Sequence, residues 1–273
     1  MKLSKGFVYY PKKRKEQPIK WLCVCAHQDD CEIMAIDGIL KGYYSKKYSF
    51  ALAVTADGRG SSRSGKYQDY TDEMMRETRI KEQKTAGEIG RYNSIYFLDY
   101  SSCEVKETYN ESIINDYINL IKKLRPEVIY AHSILDKHKT HLGSVVHLIE
   151  AIRRLPKEYR PKKLYGCEVW RGLDWVDDDK KITFNVSRNK KLQKQLLNVF
   201  DSQIAGGKSY AEATIGRRYA NATYCRSHKI DTCEMVSYAI DLMPLIKNEK
   251  LNIKEYALSF VDNLYSEIEK VLH

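Results

Sequence analysis

Trp21-Leu22-Cys23-Val24-Cys25-Ala26-His27-Gln28-Asp29-Asp30 is the stretch on which the fold turns. Its first six residues are apolar without a break, the pattern of a strand buried on both faces. A histidine and two carboxylates follow at once, and then a segment of helical length. Three more runs have the same form: 49–55 (SFALAVT), 94–98 (SIYFL) and 127–131 (EVIYA). Helix-length segments at roughly 31–47, 72–90, 110–124 and 141–154 alternate with them. Short apolar strands alternating with helices predict an α/β, Rossmann-like three-layer fold with a mainly parallel sheet. In such sheets ligands bind outside the carboxyl ends of the strands. His27, Asp29 and Asp30 leave the first strand, Asp57-Gly58-Arg59-Gly60 the second, Asp99 the third, and the segment from His132 to His141 the fourth. Four polar strand ends on one edge place the expected site there.

Beyond about residue 155 the alternation weakens. KKLYGCEVW (162–170) reads as one more strand, 188–200 and 209–224 as helices, and 252–271 as a last amphipathic helix. No internal repeat and no Pro/Gly-rich linker marks a boundary. The 273 residues, 43% of them hydrophobic, are therefore read as a single domain. It consists of a basic segment (1–20), a core α/β part (20–155) and a C-terminal elaboration (156–273). Most of the net charge of +10 sits in the first 20 residues, which hold seven Lys/Arg and one Glu. That pattern reads as a solvated tail and argues against nucleic acid as a partner. No apolar run is long enough for a membrane span, and the amino terminus lacks the apolar region of a secretory signal. Seven cysteines without a CxxC pair agree with a reducing, cytoplasmic setting, with Cys23 and Cys25 as buried thiols on one side of a strand. Gly60 to Lys66 begins like a P-loop, but Tyr67 stands where Ser or Thr must hold Mg²⁺. The stretch is read instead as a mobile loop over the site.

His27 and Asp30, three apart in a tight turn, suit convergence on one metal ion, since imidazole nitrogen and carboxylate oxygen are both good zinc ligands. The competing reading is that Asp29 or Asp30 caps the following helix, which accounts for one carboxylate but not for all three polar residues. On the helix from 141, His141, Val145, Leu148 and Ile152 form one inward stripe, which puts His141 at the buried end near His27. His138 lies one turn before it; both are otherwise solvated loop histidines, and His147 reads as surface. Arg79 and Glu82 fall on the apolar face of their helix, either as a buried ion pair or with Glu82 holding Arg79 toward an anionic or hydroxyl-rich ligand. Trp170 and Trp175 suit stacking on a sugar face or plain core packing.

Together, AHQDD after the first strand, Arg79-x-x-Glu82 and Asp136-x-His138-x-x-His141 resemble the zinc-dependent N-deacetylases of the PIG-L/LmbE type over roughly residues 20–155, with Ser202-Gln203 a weaker echo. The resemblance implies a metal-dependent hydrolase that removes acetyl groups from N-acetylglucosamine-containing molecules. It makes His27, Asp30 and His141 the ligands of zinc, with iron(II) the other candidate. It also makes Asp29 the general base, His138 the oxyanion-stabilising histidine and Arg79 a substrate contact. The expected partner is a small N-acetylated sugar or sugar conjugate. Two departures stand out: Gln28 replaces the usual proline, which should loosen the turn, and Thr140 replaces the usual Asp behind His138, a place that Asp136 could fill. The alternatives are a sugar-binding protein on the same fold without turnover, and a metal-dependent phosphoester hydrolase.

Overall fold

The computed structural model describes residues 3–205, 207–226 and 229–272, and eight strands among them form one sheet. They are β1 (Phe7–Tyr9), β2 (Ile19–Cys25), β3 (Ser49–Ala56), β4 (Ile95–Tyr100), β5 (Val128–His132), β6 (Lys163–Cys167), β7 (Lys181–Asn185) and β8 (Val236–Asp241). Their order across the sheet is β1-β4-β3-β2-β5-β6-β8-β7. The central run from β4 to β6 is parallel, while the β1–β4, β6–β8 and β8–β7 pairings are antiparallel. The helices are α1 (Asp30–Met34), α2 (Ile36–Tyr44), α3 (Asp72–Gly90), α4 (Ser102–Lys106), α5 (Glu111–Leu124), α6 (Lys139–Arg154), α7 (Lys190–Leu197), α8 (Asp201–Ile204), α9 (Tyr210–Thr223), α10 (Met243–Lys247) and α11 (Ile253–Val271).

Strand periodicity sorts the core into two layers. Leu22, Val24, Ala51, Ala53, Ile129 and Ala131 pack with α5 and α6 residues such as Ile114, Tyr117, Val145 and Leu148. Their neighbours Cys23, Cys25, Leu52, Val54 and Tyr130 pack on the opposite face, with Met34, Ile36, Ile39 and Ile80. A one-residue slip of β2 would exchange the two sets, so this double burial pins the register that delivers His27 and Asp30 to the sheet edge. Cys23 and Cys25 are free and buried, as expected of small hydrophobes. Thr71 caps α3 by accepting the Met74 N–H, and Asn110 caps α5 by accepting the Ile113 N–H. No helix among the described residues is long and apolar enough to cross a membrane.

Several local expectations need correction. The basic amino terminus is not a solvated tail: β1 pairs with β4, Lys15 Nζ donates to the Gly42 and Tyr43 carbonyls, and the Lys12 N–H donates to Glu88. Edge pairing covers the open β4 strand, which a free tail would leave exposed. The expected helix 31–47 breaks at Ala35 into α1 and α2. Separated from α1, α2 lies close on the sheet through Gly38 and Gly42, where a Cβ would come within 2.5 Å of the Tyr130 ring and 2.6 Å of Phe50. His147 is not on the surface. It is 1% exposed, donates from Nδ1 to the Gly143 carbonyl and accepts the Asn110 N–H at Nε2. The 156–273 part supplies three strands rather than one. β7 and β8 went unread because KITFN and VSYAID are short and mixed in polarity, and only pairing of β8 with β6 and of β7 with β8 makes them a sheet edge.

Gly143 lets α6 approach α4 closely, since a Cβ there would lie 1.9 Å from the Val105 carbonyl oxygen. Backbone cannot swing aside as a side chain can. Gly143→Ala should therefore destabilise the fold by about 1–3 kcal/mol, read as a lower urea midpoint with little change in slope.

Candidate active site

The turn between β2 and α1 is the foundation of the site. Asp29 has φ 93°, a left-handed conformation that costs a non-glycine residue about 1–3 kcal/mol and must be held by its surroundings. Helix α3 holds it: Gln83 Oε1 accepts the Asp29 N–H at 3.3 Å, and the Arg79 guanidinium donates to the Gln28 carbonyl and lies 3.3 Å from Asp29 Oδ1. Gln28 does not loosen this turn. Its buried side chain donates to the Ala56 and Asp57 carbonyls at 3.3 Å each and so ties the end of β2 to the end of β3.

Four sequence-selected residues meet above this turn. His27 Nδ1 lies 3.2 Å from His141 Nε2 and 3.3 Å from Asp30 Oδ2, and His141 Nε2 lies 3.3 Å from Asp30 Oδ1. A ring nitrogen of His138 lies within 4.8 Å of those of His27 and His141. Behind the cluster, Asp136 Oδ2 faces His141 Nδ1 at 3.3 Å, which points the Nε2 lone pair of His141 at its neighbours. Two imidazole nitrogens and a carboxylate face one another here, an arrangement satisfied by a shared proton or by a metal ion between them. Donors about 2.0–2.2 Å from a tetrahedral zinc ion stand ~3.3 Å apart, so the donor set fits such an ion.

The electrostatics make the same demand. Burial alone would raise the Asp30 carboxyl, yet His141 and His132 hold it well below the usual carboxylate range. Burial pulls His141 down, but Asp30 and Asp136 raise it to about 9. Burial lowers His27 to about 4. The cluster thus calls for one positive charge, carried either by a proton on His141 or by a metal ion. Burial raises the Asp29 carboxyl, with Arg79 opposing the shift.

His132 is a member that sequence reading passed over. It ends β5 fully buried, accepts the Ala26 N–H at Nε2 (2.9 Å) and stacks on His141 with ring centres 3.8 Å apart. Its signal was only a polar residue closing an apolar strand. Asp136 does not serve His138 as a carboxylate partner: besides His141 it takes the backbone N–H of His138 and of Trp170. His138 Nδ1 is buried without a partner, and burial lowers its pKa. Glu82 neither pairs with Arg79 nor holds it, because it accepts both the N–H and the hydroxyl of Ser202 at 2.7 Å. Asp99 is bound by Arg76 at 2.7 Å from each oxygen, and Asp57 is bound by Arg59, so neither carboxylate serves the site.

A cavity of about 590 Å³ opens over the cluster, within the ~300–1,000 Å³ usual for small-molecule sites. His27, Asp29, Asp30, Arg79, His138 and Trp170 line it. Trp175 does not; it packs on the core with Nε1 donating to the Gly172 carbonyl. The loop after β3 contributes Gly58, Gly60, Ser61 and Ser62, and it is pinned rather than mobile. Arg63 donates to the carbonyls of Arg59, Ser61 and Tyr70 and pairs with Asp72. Across the cavity, α8 is anchored by the Glu82–Ser202 pair. Ser202→Ala should cost about 1.5–3 kcal/mol, as expected for a buried hydrogen bond to a carboxylate, and denaturant unfolding reads it directly. An unchanged midpoint would remove the anchor role.

Residues 22–154 match the family described as PIG-L, GlcNAc-PI de-N-acetylase. Among curated proteins no sequence match is found. Solved structures share the fold at low identity. The N,N'-diacetylchitobiose deacetylase of Pyrococcus horikoshii has a TM-score of 0.64 at 15% identity, covering 84% of this chain and 85% of that one. The conserved protein TT1542 of Thermus thermophilus has 0.64 at 17%, covering 86% and 99%. GalB, the 4-carboxy-2-hydroxymuconate hydratase of Pseudomonas putida, has 0.63 at 15%, covering 82% and 96%. Neighbours of such different chemistry tell of the fold alone; the family match falls on the segment from β2 to α6, which carries His27, Asp29, Asp30, Arg79, His138 and His141, and over that segment the chain matches the PIG-L family.

Proposed function

We propose that the protein is a metal-dependent N-deacetylase acting on a small N-acetylated amino sugar or its conjugate. The observation that carries this reading is the convergence of His27, Asp30 and His141 at 3.2–3.3 Å beside a carboxylate, Asp29, that is free of the cluster. His27, Asp30 and His141 would hold zinc or iron(II). Such an ion polarises an amide carbonyl and lowers the pKa of bound water to about 7. The family match of the segment supports the same chemistry.

Asp29 is placed for the proton work. Burial favours its protonated form while Arg79 favours the carboxylate, so the group is poised to take a proton and give it back. It takes the proton of the attacking water and passes it to the amide nitrogen as the C–N bond breaks, leaving acetate and a free amine. His138, neutral because burial and the neighbouring His141 lower it more than Asp30 and Asp136 raise it, donates one ring N–H to the developing oxyanion. A donor so placed is worth roughly 3–4 kcal/mol of barrier. Arg79 keeps Asp29 in its strained backbone conformation, and its guanidinium reaches the cavity beside Ser61. It is a positioning residue for Asp29 as well as a candidate substrate contact.

Metal analysis of the purified protein tests the site apart from turnover. Wild type should carry about one zinc or iron per chain. His141→Ala should lose most of it, and Asp29→Asn should keep it. Asp29→Asn should also lower acetate release from N-acetylated sugars by several orders of magnitude without shifting the melting temperature downward. Full activity in that variant would sink the general-base role. Metal bound in the wild type with no acetate from any acetamido sugar would turn the reading toward a binding protein or toward water addition on the same fold.

A further inference from the structure

The cavity carries more positive charge than the proposed reaction uses. Arg79, Lys106, Lys208 and Arg217 line it, against two carboxylates, Asp29 and Asp30, among the described residues. Arg79 is taken by Asp29 and the turn, and Asp30 by the histidines. No salt bridge to Lys106, Lys208 or Arg217 occurs among the described residues. Lys106 and Lys208 thus lack a carboxylate partner and Arg217 feels only the buried Glu168, so the cleft repels further cations and draws in anions.

Their placement is specific. The Trp170 ring stacks near His138 with centres 6.1 Å apart, and Lys208 Nζ lies 5.6 Å from the centre of the same ring. Arg217 donates to the carbonyl of Val169, the residue next to Trp170, and Tyr210 meets Trp170 edge-on at 6.1 Å. One indole thus neighbours both the histidine cluster and Lys208, with Arg217 bonded to the backbone beside it. A pyranose laid against Trp170 with its acetamido group at the cluster brings its other substituents to Lys208 and Arg217.

We propose that Lys208 and Arg217, with Lys106 at the end of α4, form an anion subsite, and that the substrate is an N-acetylated sugar bearing a phosphoryl or carboxylate group. The inference rests on the deacetylase reading above and adds its selectivity. Lys208 and Arg217 lie outside the segment that matches the family and Lys106 inside it, so the C-terminal part of the chain supplies two of the three cations.

The test compares N-acetylglucosamine 1-phosphate, N-acetylmuramic acid and neutral N-acetylglucosamine on the metal-loaded protein, by acetate release and by calorimetric binding. The expected ratio of anionic to neutral kcat/KM is about tenfold or more, as for a charge-assisted hydrogen bond, and it should fall about tenfold in Lys208→Ala and in Arg217→Gln. Lys106→Ala and Lys208→Ala change exposed residues, so they decide the matter even if Arg217→Gln unfolds. Preference for the sugar phosphate identifies a phosphoryl group as the anion, and preference for the muramic acid a carboxylate; either upholds the subsite. Equal rates on neutral and charged sugars, or a ratio unmoved by Lys208→Ala, overturn it. If no probe releases acetate but the sugar phosphate binds and Lys208→Ala weakens that binding, the subsite stands and the deacetylase reading falls. Without turnover, equal binding of charged and neutral sugars overturns the subsite.

Discussion

Keeping one buried carboxylate charged is the constraint on which the rest of the site depends. Asp30 is 3% exposed and lies within 3.3 Å of nitrogens on His27, His132 and His141. A lone carboxylate so placed would lose several kcal/mol in desolvation unless a cation compensated it. Each surrounding element answers that need. β5 ends in His132, the start of α6 brings His141, and Asp136 orients His141 from behind. Hydrophobic burial on both faces of the sheet keeps β2 and β5 in register, so the cluster rests on core packing rather than on its own polar contacts.

A second layer of organisation holds the turn that carries Asp29. The left-handed backbone there is maintained by Arg79 and Gln83 of α3 and by the Gln28 side chain, which reaches across to β3. Arg79 thus couples backbone strain to the charge state of the neighbouring carboxylate. Glu82, on the same helix, holds α8 through Ser202 and so fixes one wall of the cavity. One helix therefore positions both the carboxylate and a wall of the space in which a ligand would meet it. Arg218 of α9 adds a further tie. Its buried guanidinium donates to the Glu32 and Ile33 carbonyls and fastens the C-terminal part of the chain to the end of α1.

Much of this was legible in the residues. The stripe His141, Val145, Leu148 and Ile152 is buried as its spacing requires, and the polar residues after β2 and β5 do meet. What failed to read correctly failed for a common reason. His132 and His147 are polar residues that become core through hydrogen bonds to distant backbone N–H groups, those of Ala26 and Asn110. The partners lie 106 and 37 positions away, so no local pattern announces them. The same holds for Glu82, three residues from Arg79, whose partner Ser202 is 120 positions away. The Arg63 fan that pins the loop after β3 spans only a few residues, but carbonyl acceptors leave no mark in a sequence.

The sequence by itself determined the layered α/β fold, the parallel centre of the sheet and the edge at which its polar residues gather. Periodicity and strand-end chemistry are local properties of the chain, which is why they can be read from it. Spacing already paired Asp30 with His27; only the tertiary structure decided that Asp29 stands beside Arg79 in a left-handed turn, since Arg79 lies 50 positions away. It also decided that β1, β7 and β8 complete the sheet, and that Lys106, Lys208 and Arg217 share one cavity. These outcomes depend on distances between segments far apart in the chain, and those distances are set by packing rather than by local composition.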